Sequence, residues 1–118
     1  MEEQSGAVFH SLFRLRDSVA EREFLAACEA FYRHLIEAGF ARSYRIMRRQ
    51  LLEGFGDTLP RFEYHGELEF ADLDHDRRCD EYVRRNEEPV RSLHRAMNSK
   101  VGRGSADFFL RVCVAEGG

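Results

Sequence analysis

Phe62 to Phe70, FEYHGELEF, is the stretch that decides how this chain folds. Apolar side chains or glycine occupy its even-numbered positions, whereas Glu63, His65, Glu67 and Glu69 occupy the odd ones. Because successive side chains of a strand point to opposite faces of a sheet, this alternation predicts a strand with one buried face and one polar face. The polar face has to meet water, a ligand or a second protein chain.

Three further segments alternate in a similar way and are predicted to be strands. They are Val8 to Leu15, Ser43 to Leu51 and Ala106 to Val114. The segment LEGFGDTLPR at 52–61 contains two glycines and a proline, so it predicts a loop between the second and third strands. In that loop, Phe55 between two glycines could form the tip of a lid, although an ordinary hairpin tip is the simpler interpretation.

Two helical regions fill the intervals between these strands. The first is predicted to begin at a cap on Asp17 or Ser18 and to end at Gly39. The second is predicted to begin at Asp72 or Asp74 and to break near Pro89, whose ring removes a backbone donor. Their apolar positions recur at helical spacing and are Phe24, Cys28, Phe31 and Leu35 in the first, and Leu73, Cys79, Tyr82, Val83, Val90, Leu93 and Met97 in the second.

The resulting order, βαββαβ, predicts an α+β fold of the ferredoxin-like type, a four-stranded antiparallel sheet with both helical regions on one face. The other face of the sheet would then expose Leu12, Met47 and Phe109 among charged residues. Exposed apolar patches of this kind favour association, so we expect a homodimer in which two sheets face each other, a dimeric α/β barrel. One domain over residues 1–118 is expected, with residues 1–6 as a flexible tail.

Composition excludes several classes of function. The 118-residue chain carries a net charge of −3 with acidic and basic residues interspersed, which does not favour binding to nucleic acid or membranes. We see neither a signal peptide nor a long apolar segment, so a cytoplasmic location is expected. Cys28, Cys79 and Cys113 lie far apart without a CxxC pair, which predicts buried thiols rather than disulfides or a zinc site.

Three segments resemble a known superfamily. LFRLRDSVAEREF, from Leu12 to Phe24, is similar to the opening of stress-responsive dimeric α/β barrel proteins. YRIMRRQL (residues 44–51) and LHRAMNSKV (residues 93–101) resemble motifs of an uncharacterised bacterial family in that superfamily. The resemblance implies the barrel architecture and a homodimer, but no assigned activity. Other members are monooxygenases, isomerases or haem-handling enzymes; the haem-degrading ones use a tryptophan, which this chain lacks, and we expect no cofactor.

Polar residues on the uncovered face are the first candidates for a site. Those predicted to bind a small polar or anionic ligand between the sheets are His10, Arg14, Arg45, Arg49, His65, Glu67 and Arg111. Among them, His65, Glu67 and Arg45 are the candidate catalytic residues if the protein is a cofactor-independent monooxygenase or isomerase, because they combine a proton carrier with an anion-binding group. The alternative is a structural dimer without a ligand, in which these charges form ion pairs.

Two further groups of polar residues lie in the predicted second helical region. His94 and Asn98 lie four residues apart on a helix and could form a hydrogen-bonding pair, or simply a polar helix end with Asn98 near the C-cap. The acidic run from Asp72 to Asp76 has the composition of a metal site, but helix capping explains it. No metal site is therefore predicted.

Overall fold

The computed structural model describes residues 6–50, 52–54, 62–102 and 106–118. Within these ranges the elements are β1 (Ala7–Phe13), α1 (Glu21–Glu37), β2 (Ser43–Arg48), β3 (Tyr64–Phe70), α2 (Leu73–Arg84), α3 (Val90–Asn98) and β4 (Asp107–Val112). This confirms the predicted order, with the second helical region divided into two helices. The predicted lid tip at Phe55 and most of its loop lie outside the described residues.

The four strands form one antiparallel sheet in the order β2-β3-β1-β4. The predicted ferredoxin-like α+β fold is thus confirmed, and β3 lies between β1 and β2. α1 and α2 pack against strands of the sheet, and α3 packs against α1. The face that carries these helices is called the helix face below, and the other is the open face.

The strand register arranges the open face in three rows that run across all four strands. Along β2, β3, β1 and β4, the rows read Ser43, Glu69, Val8, Arg111; then Arg45, Glu67, His10, Phe109; and then Met47, His65, Leu12, Asp107. The second of these is called the central row. Directly opposed side chains in such rows are close enough to interact, so the register brings acidic, basic and imidazole groups together.

Helix boundaries agree with the predictions in part. Asp17 and Ser18 do not cap α1; they lie in a turn, with Ser18 at φ 67°, and the N-cap is Ala20, which makes no side-chain capping bond. The C-terminal prediction is confirmed. Gly39 has φ 85°, and its amide donates to the Ile36 carbonyl while the next amide donates to the Leu35 carbonyl, which is a Schellman motif.

The start and the break of the second helical region are also confirmed. Asp72 is the N-cap of α2, and its Oδ1 accepts a hydrogen bond of 2.8 Å from the His75 amide. Pro89 is the N-cap of α3, where its missing amide hydrogen costs no helical hydrogen bond. Leu73 was wrongly assigned to the apolar face, since it lies in the first turn of α2 and is mostly exposed.

The core lies between the helix face and the helices. The largest fully buried side chains are Phe24, Phe70, Leu35, Val90 and Cys28. Two of the three cysteine predictions are confirmed, because Cys28 and Cys79 are buried, but Cys113 is partly exposed beyond the end of the edge strand β4. β4 is covered incompletely, and its Phe108 is 55% exposed although it belongs to the helix face.

Candidate functional site

Two groups of candidate residues lie on opposite faces of the sheet. The first is a polar cluster in and beside the central row of the open face. The second is a cavity of about 680 Å³ between the helix face and the helices. Each group draws its residues from several separate strands or helices. Neither group is therefore apparent from a single segment of the sequence.

Imidazole and carboxylate groups form the polar cluster. His10 Nδ1 lies 2.8 Å from His65 Nε2, within hydrogen-bonding distance. Glu67 lies across from His10 in the register, and its Oε1 accepts a hydrogen bond of 2.9 Å from Arg45 Nη2. The Glu67 side chain is only 13% exposed, whereas that of Arg45 is 72% exposed. A carboxylate and two imidazoles are therefore held together, with the arginine on the solvent side.

The electrostatics of the cluster favour a neutral imidazole at His10. Burial is the main cause that lowers the pKa of His10; Glu67 opposes this, while His65 and Arg111 add to it. The His10 ring also stacks on Phe109 with the centroids 4.8 Å apart, and the Arg111 guanidinium lies 4.8 Å from that same ring. The cluster is thus packed on its β4 side by an aromatic and a cationic side chain.

The structure brings five of the seven predicted ligand-binding residues to this cluster and leaves two outside it. Arg14 is exposed just beyond β1, where its carbonyl accepts a hydrogen bond from Gly102. Arg49 follows β2, and its amide donates to the Glu63 carbonyl at the same end of the sheet. Both arginines lie past the strand ends, because β1 and β2 are shorter than the alternation suggested.

The cavity on the opposite face is mainly apolar. The residues that line it from the sheet are Phe9, Ser11, Leu68, Phe70 and Phe108, and those that line it from α1 are Phe31, Tyr32 and Leu35. From α2, α3 and the turn between them come Asp76, Cys79, Asp80, Val83, Arg84, Asn86, His94, Met97 and Asn98. A few polar groups therefore face an otherwise hydrophobic space, which is the usual composition of a small-molecule site.

His94 and Asn98, predicted as a helix-end polar pair, both lie in the wall of this cavity. Burial lowers the pKa of His94, and its ring lies 5.1 Å from that of Phe31 between centroids. Asn98 is the last residue of α3, and Lys100 Nζ donates to the Ala96 carbonyl, so Asn98 lies at a polar helix end. This end of α3 forms one edge of the cavity, and a role for His94 and Asn98 as a pair stays a prediction.

Sequence reasoning missed a tyrosine in the cavity wall. A Cβ atom placed on Gly66 would lie 2.6 Å from Tyr32 Oη, so this hydroxyl lies directly over the sheet at a glycine. Burial raises the pKa of Tyr32, while a hydrogen bond with Ser11 opposes the shift. The available signal was Gly66, which interrupts the apolar face of β3 where a neighbouring group approaches closely.

The acidic run at the start of α2 has structural roles. Asp72 caps the helix, and Asp74 forms ion pairs with Arg77 and Arg78. His75 is buried, and its two ring nitrogens contact the Ala71 amide and the Gly39 carbonyl at 3.0 and 2.9 Å. The capping interpretation is therefore confirmed by the contacts of these side chains.

Across the described ranges, no helix has both the length and the apolar character that a membrane crossing requires.

Solved structures with the same fold include proteins of different activities. A variant of SnoaB, a cofactor-independent oxygenase from Streptomyces nogalater, has a TM-score of 0.69 at 12% identity and covers 95% of this chain and 96% of its own. A hydroxynitrile lyase from Passiflora edulis has a TM-score of 0.65 at 9% identity, with 97% and 98% covered. At such identities the likeness shows the fold alone.

A third similar structure is a dimeric ferredoxin-like protein of unknown function from Thermobifida fusca. Its TM-score is 0.61 at 12% identity, with 94% of this chain and 93% of that chain covered. No curated protein is significantly similar to the sequence. Residues 7–113 match the model of a family of unknown function, DUF6614, and the chain therefore belongs to that family.

Proposed function

We propose that this protein is a homodimer that binds a small, largely apolar molecule in the helix-face cavity. The observation that carries the proposal is the cavity itself, whose volume of about 680 Å³ lies within the range of small-molecule sites. Its polar groups, among them Tyr32, Asp76, His94 and Asn98, would fix the orientation of a ligand that carries one or two hydrogen-bonding groups. We place the protein in the cytoplasm, as its sequence predicts.

Exposed apolar side chains support the homodimer. Phe108, Leu110 and Val112 of β4 are between 39% and 55% exposed in the single chain. Leu12 and Met47 lie on the open face, which no helix among the described elements covers. Similar structures from three bacteria, among them Thermobifida fusca and Bacteroides fragilis, are described as dimeric ferredoxin-like proteins. A partner packed on the open face would remove Leu12 and Met47 from water, and it would cover Phe108, Leu110 and Val112 only if it also reaches around the edge strand β4 to the helix face.

The ligand predicted between the two sheets would bind to the open face and not to the cavity. On the open face, Glu67 and Arg45 pair with each other, and His10 pairs with His65. The cavity instead offers volume together with polar groups on the helix face. We therefore assign the organic ligand to the cavity, and binding of a polar or anionic molecule by the open-face arginines stays a prediction.

A second candidate is an enzyme that transfers a proton in the same cavity. His94 favours it, because burial lowers its pKa and leaves a neutral imidazole at pH 7 that can accept a proton from a bound molecule. Similar folds are described as a cofactor-independent oxygenase and a hydroxynitrile lyase. In this candidate His94 takes the role predicted for His65, Glu67 and Arg45, which lie on the face opposite the cavity.

A fluorescent probe tests ligand binding directly. N-phenyl-1-naphthylamine is neutral and largely apolar, and we expect saturable fluorescence enhancement with the full chain. Val83→Phe places a larger side chain in the cavity and should weaken binding at least about tenfold. Val114→Phe is the control, because it adds the same ring at an exposed position outside the cavity. Failure of the probe to saturate, or equal affinity of the two variants, would overturn the proposed site.

Deuterium exchange tests the enzyme candidate. 2-Tetralone carries acidic C–H bonds beside a carbonyl, and a base that removes such a proton allows deuterium from D2O to replace it. We expect exchange faster than in buffer, which His94→Gln abolishes while probe binding persists. His34→Gln removes a histidine that is hydrogen-bonded to Tyr82 outside the cavity and should leave the rate unchanged. Exchange no faster than in buffer would exclude proton abstraction from this ketone by His94.

A further inference from the structure

We propose that His10, His65 and Glu67 form a binding site for a first-row divalent transition-metal ion on the open face. The three side chains offer one ligand atom each, and these atoms all lie within 4.8 Å of one another. The proposal is independent of the cavity function, because the site lies on the opposite face and no residue is shared.

The distance between the two imidazoles fits a shared ion. His10 Nδ1 and His65 Nε2 are 2.8 Å apart. Metal–nitrogen bonds of about 2.0–2.1 Å place neighbouring ligand nitrogens about 2.9 Å apart at a right angle and about 3.3 Å apart in a tetrahedron. An ion can therefore replace the hydrogen bond between the rings with a shift of only a few tenths of an ångström.

One carboxylate oxygen of Glu67 is contacted only weakly by Arg45 and can bind the ion. Oε1 lies 2.9 Å from Arg45 Nη2, whereas Oε2 is 3.5 Å from it. The carboxylate is mostly buried, and its arginine partner lies on the solvent side. Arg45 would then hold the carboxylate in orientation, which is the role that outer partners have at metal sites.

The surroundings keep the ligand atoms in place. β1 and β3 are adjacent, and His10 lies opposite Glu67 while Leu12 lies opposite His65. The His10 ring is also packed against Phe109. Ligands on paired strands with a stacked ring are more rigid than ligands on loops, so little conformational entropy is lost on binding.

The donor set selects the class of metal. Two neutral imidazoles and one carboxylate suit Zn²⁺, Co²⁺, Ni²⁺ or Fe²⁺, whereas Mg²⁺ and Ca²⁺ prefer oxygen ligands alone. On binding, the proton between the rings moves so that His10 and His65 each carry a hydrogen on the nitrogen that faces away from the ion. Three protein ligands leave further positions on the ion open to other ligands.

Cobalt titration of the full chain tests the site, because Co²⁺ bound by nitrogen and oxygen gives visible d–d bands. We expect saturable bands without thiolate charge transfer, and their loss when Zn²⁺ is added. His65→Gln and Glu67→Gln should each lower affinity by at least about tenfold. Two matched controls, His34→Gln and Cys113→Ser, should leave affinity unchanged, because neither side chain belongs to the cluster.

Thermal unfolding gives a second readout that does not depend on colour. Zn²⁺ should raise the Tm of the wild-type chain, because a ligand that binds only the folded state stabilises it, and should leave His65→Gln unaffected. The proposal is overturned if Co²⁺ gives no saturable bands, if Mg²⁺ competes as well as Zn²⁺, or if Cys113→Ser removes binding. It also fails if both cluster variants bind as the wild type does while circular dichroism shows them folded.

Discussion

The helix face and the open face are built by the same strands but differ in what they bury. The helix face collects aromatic rings such as Phe13, Phe24 and Tyr64, whose centroids lie 5.0 to 6.0 Å apart. The open face collects the charged and imidazole groups of the central row. The stability of the single chain is therefore expected to depend on the helix face. Dimer formation and ion binding are expected to depend on the open face.

β1 shows how sharply the two faces are divided. His10 belongs to the polar cluster, whereas its neighbour Ser11 lies in the cavity wall beneath Tyr32. One residue of register shift would exchange these roles and place an imidazole in the core. The pairing of β1 with β3 thus determines the chemistry of both faces at once.

The largest expected effect tests whether the helix face contributes more to the stability of the single chain than the open face does. Phe24→Ala removes a fully buried ring and should lower the free energy of unfolding by about 3–5 kcal/mol. Urea denaturation followed by circular dichroism would measure it at a fixed protein concentration. Phe109→Ala is the matched control, since this half-buried ring lies on the open face, and it should cost much less. Similar losses for both variants would contradict the division.

Much of the fold could be predicted from sequence because the physical signals are local. Strict alternation in β3, helical spacing in α1, and the effects of Gly39 and Pro89 each act within a few residues. The prediction that Asp17 or Ser18 caps α1 was wrong, because the start of this helix depends on the path of the chain between two layers and not on local signals alone. The chain between β1 and α1 first has to cross from the sheet to the helical layer, and the turn that does so uses these two residues.

A smaller effect is expected at the close contact over Gly66. Gly66→Ala places a Cβ atom 2.6 Å from the Tyr32 hydroxyl, so the packing has to shift, at a cost of about 1–3 kcal/mol. Tyr32→Phe removes that oxygen and should recover part of the loss when combined with Gly66→Ala. The double variant and both single variants, compared by urea denaturation, form a double-mutant cycle. Strict additivity would show that the contact does not limit this position.

The candidate sites were harder to predict than the fold, since they depend on strand register. The sequence indicated that the charges of the open face could form ion pairs but did not identify the partners, and only the register shows that Glu67 pairs with Arg45. The His10 and His65 pair joins residues 55 positions apart, and no local pattern relates them. The helix-face cavity arises from the packing of three helices, which residue periodicity alone does not specify.

The proposed dimer gives a third test, now on the open face. Glu67→Arg places a cation beside Arg45 in a surface that the partner would cover, so the dimer should dissociate at least about tenfold more readily. Glu81→Arg is the control, because Glu81 is exposed on α2. Analytical ultracentrifugation in the presence of a chelator separates this effect from metal binding. Equal dissociation constants for the two variants would indicate that the open face remains in water.

The smallest effect concerns a titrating side chain in the wall of the helix-face cavity, His94. Burial lowers the pKa of His94 below its usual 6.5 in the folded chain. At a pH between the lowered pKa of the folded chain and the usual 6.5, the unfolded chain binds a proton at His94 more readily than the folded chain does. His94 therefore destabilises the fold as the pH falls below about 6.5. His94 changes the free energy of unfolding by at most about 1.4 kcal/mol per pH unit in this range. Urea denaturation at pH 7.5 and 5.5 should show a smaller loss of unfolding free energy for His94→Gln than for the wild type. Equal losses in the two proteins would mean that burial does not lower the pKa of His94 in the folded chain, and the argument for a neutral base in the cavity would fail.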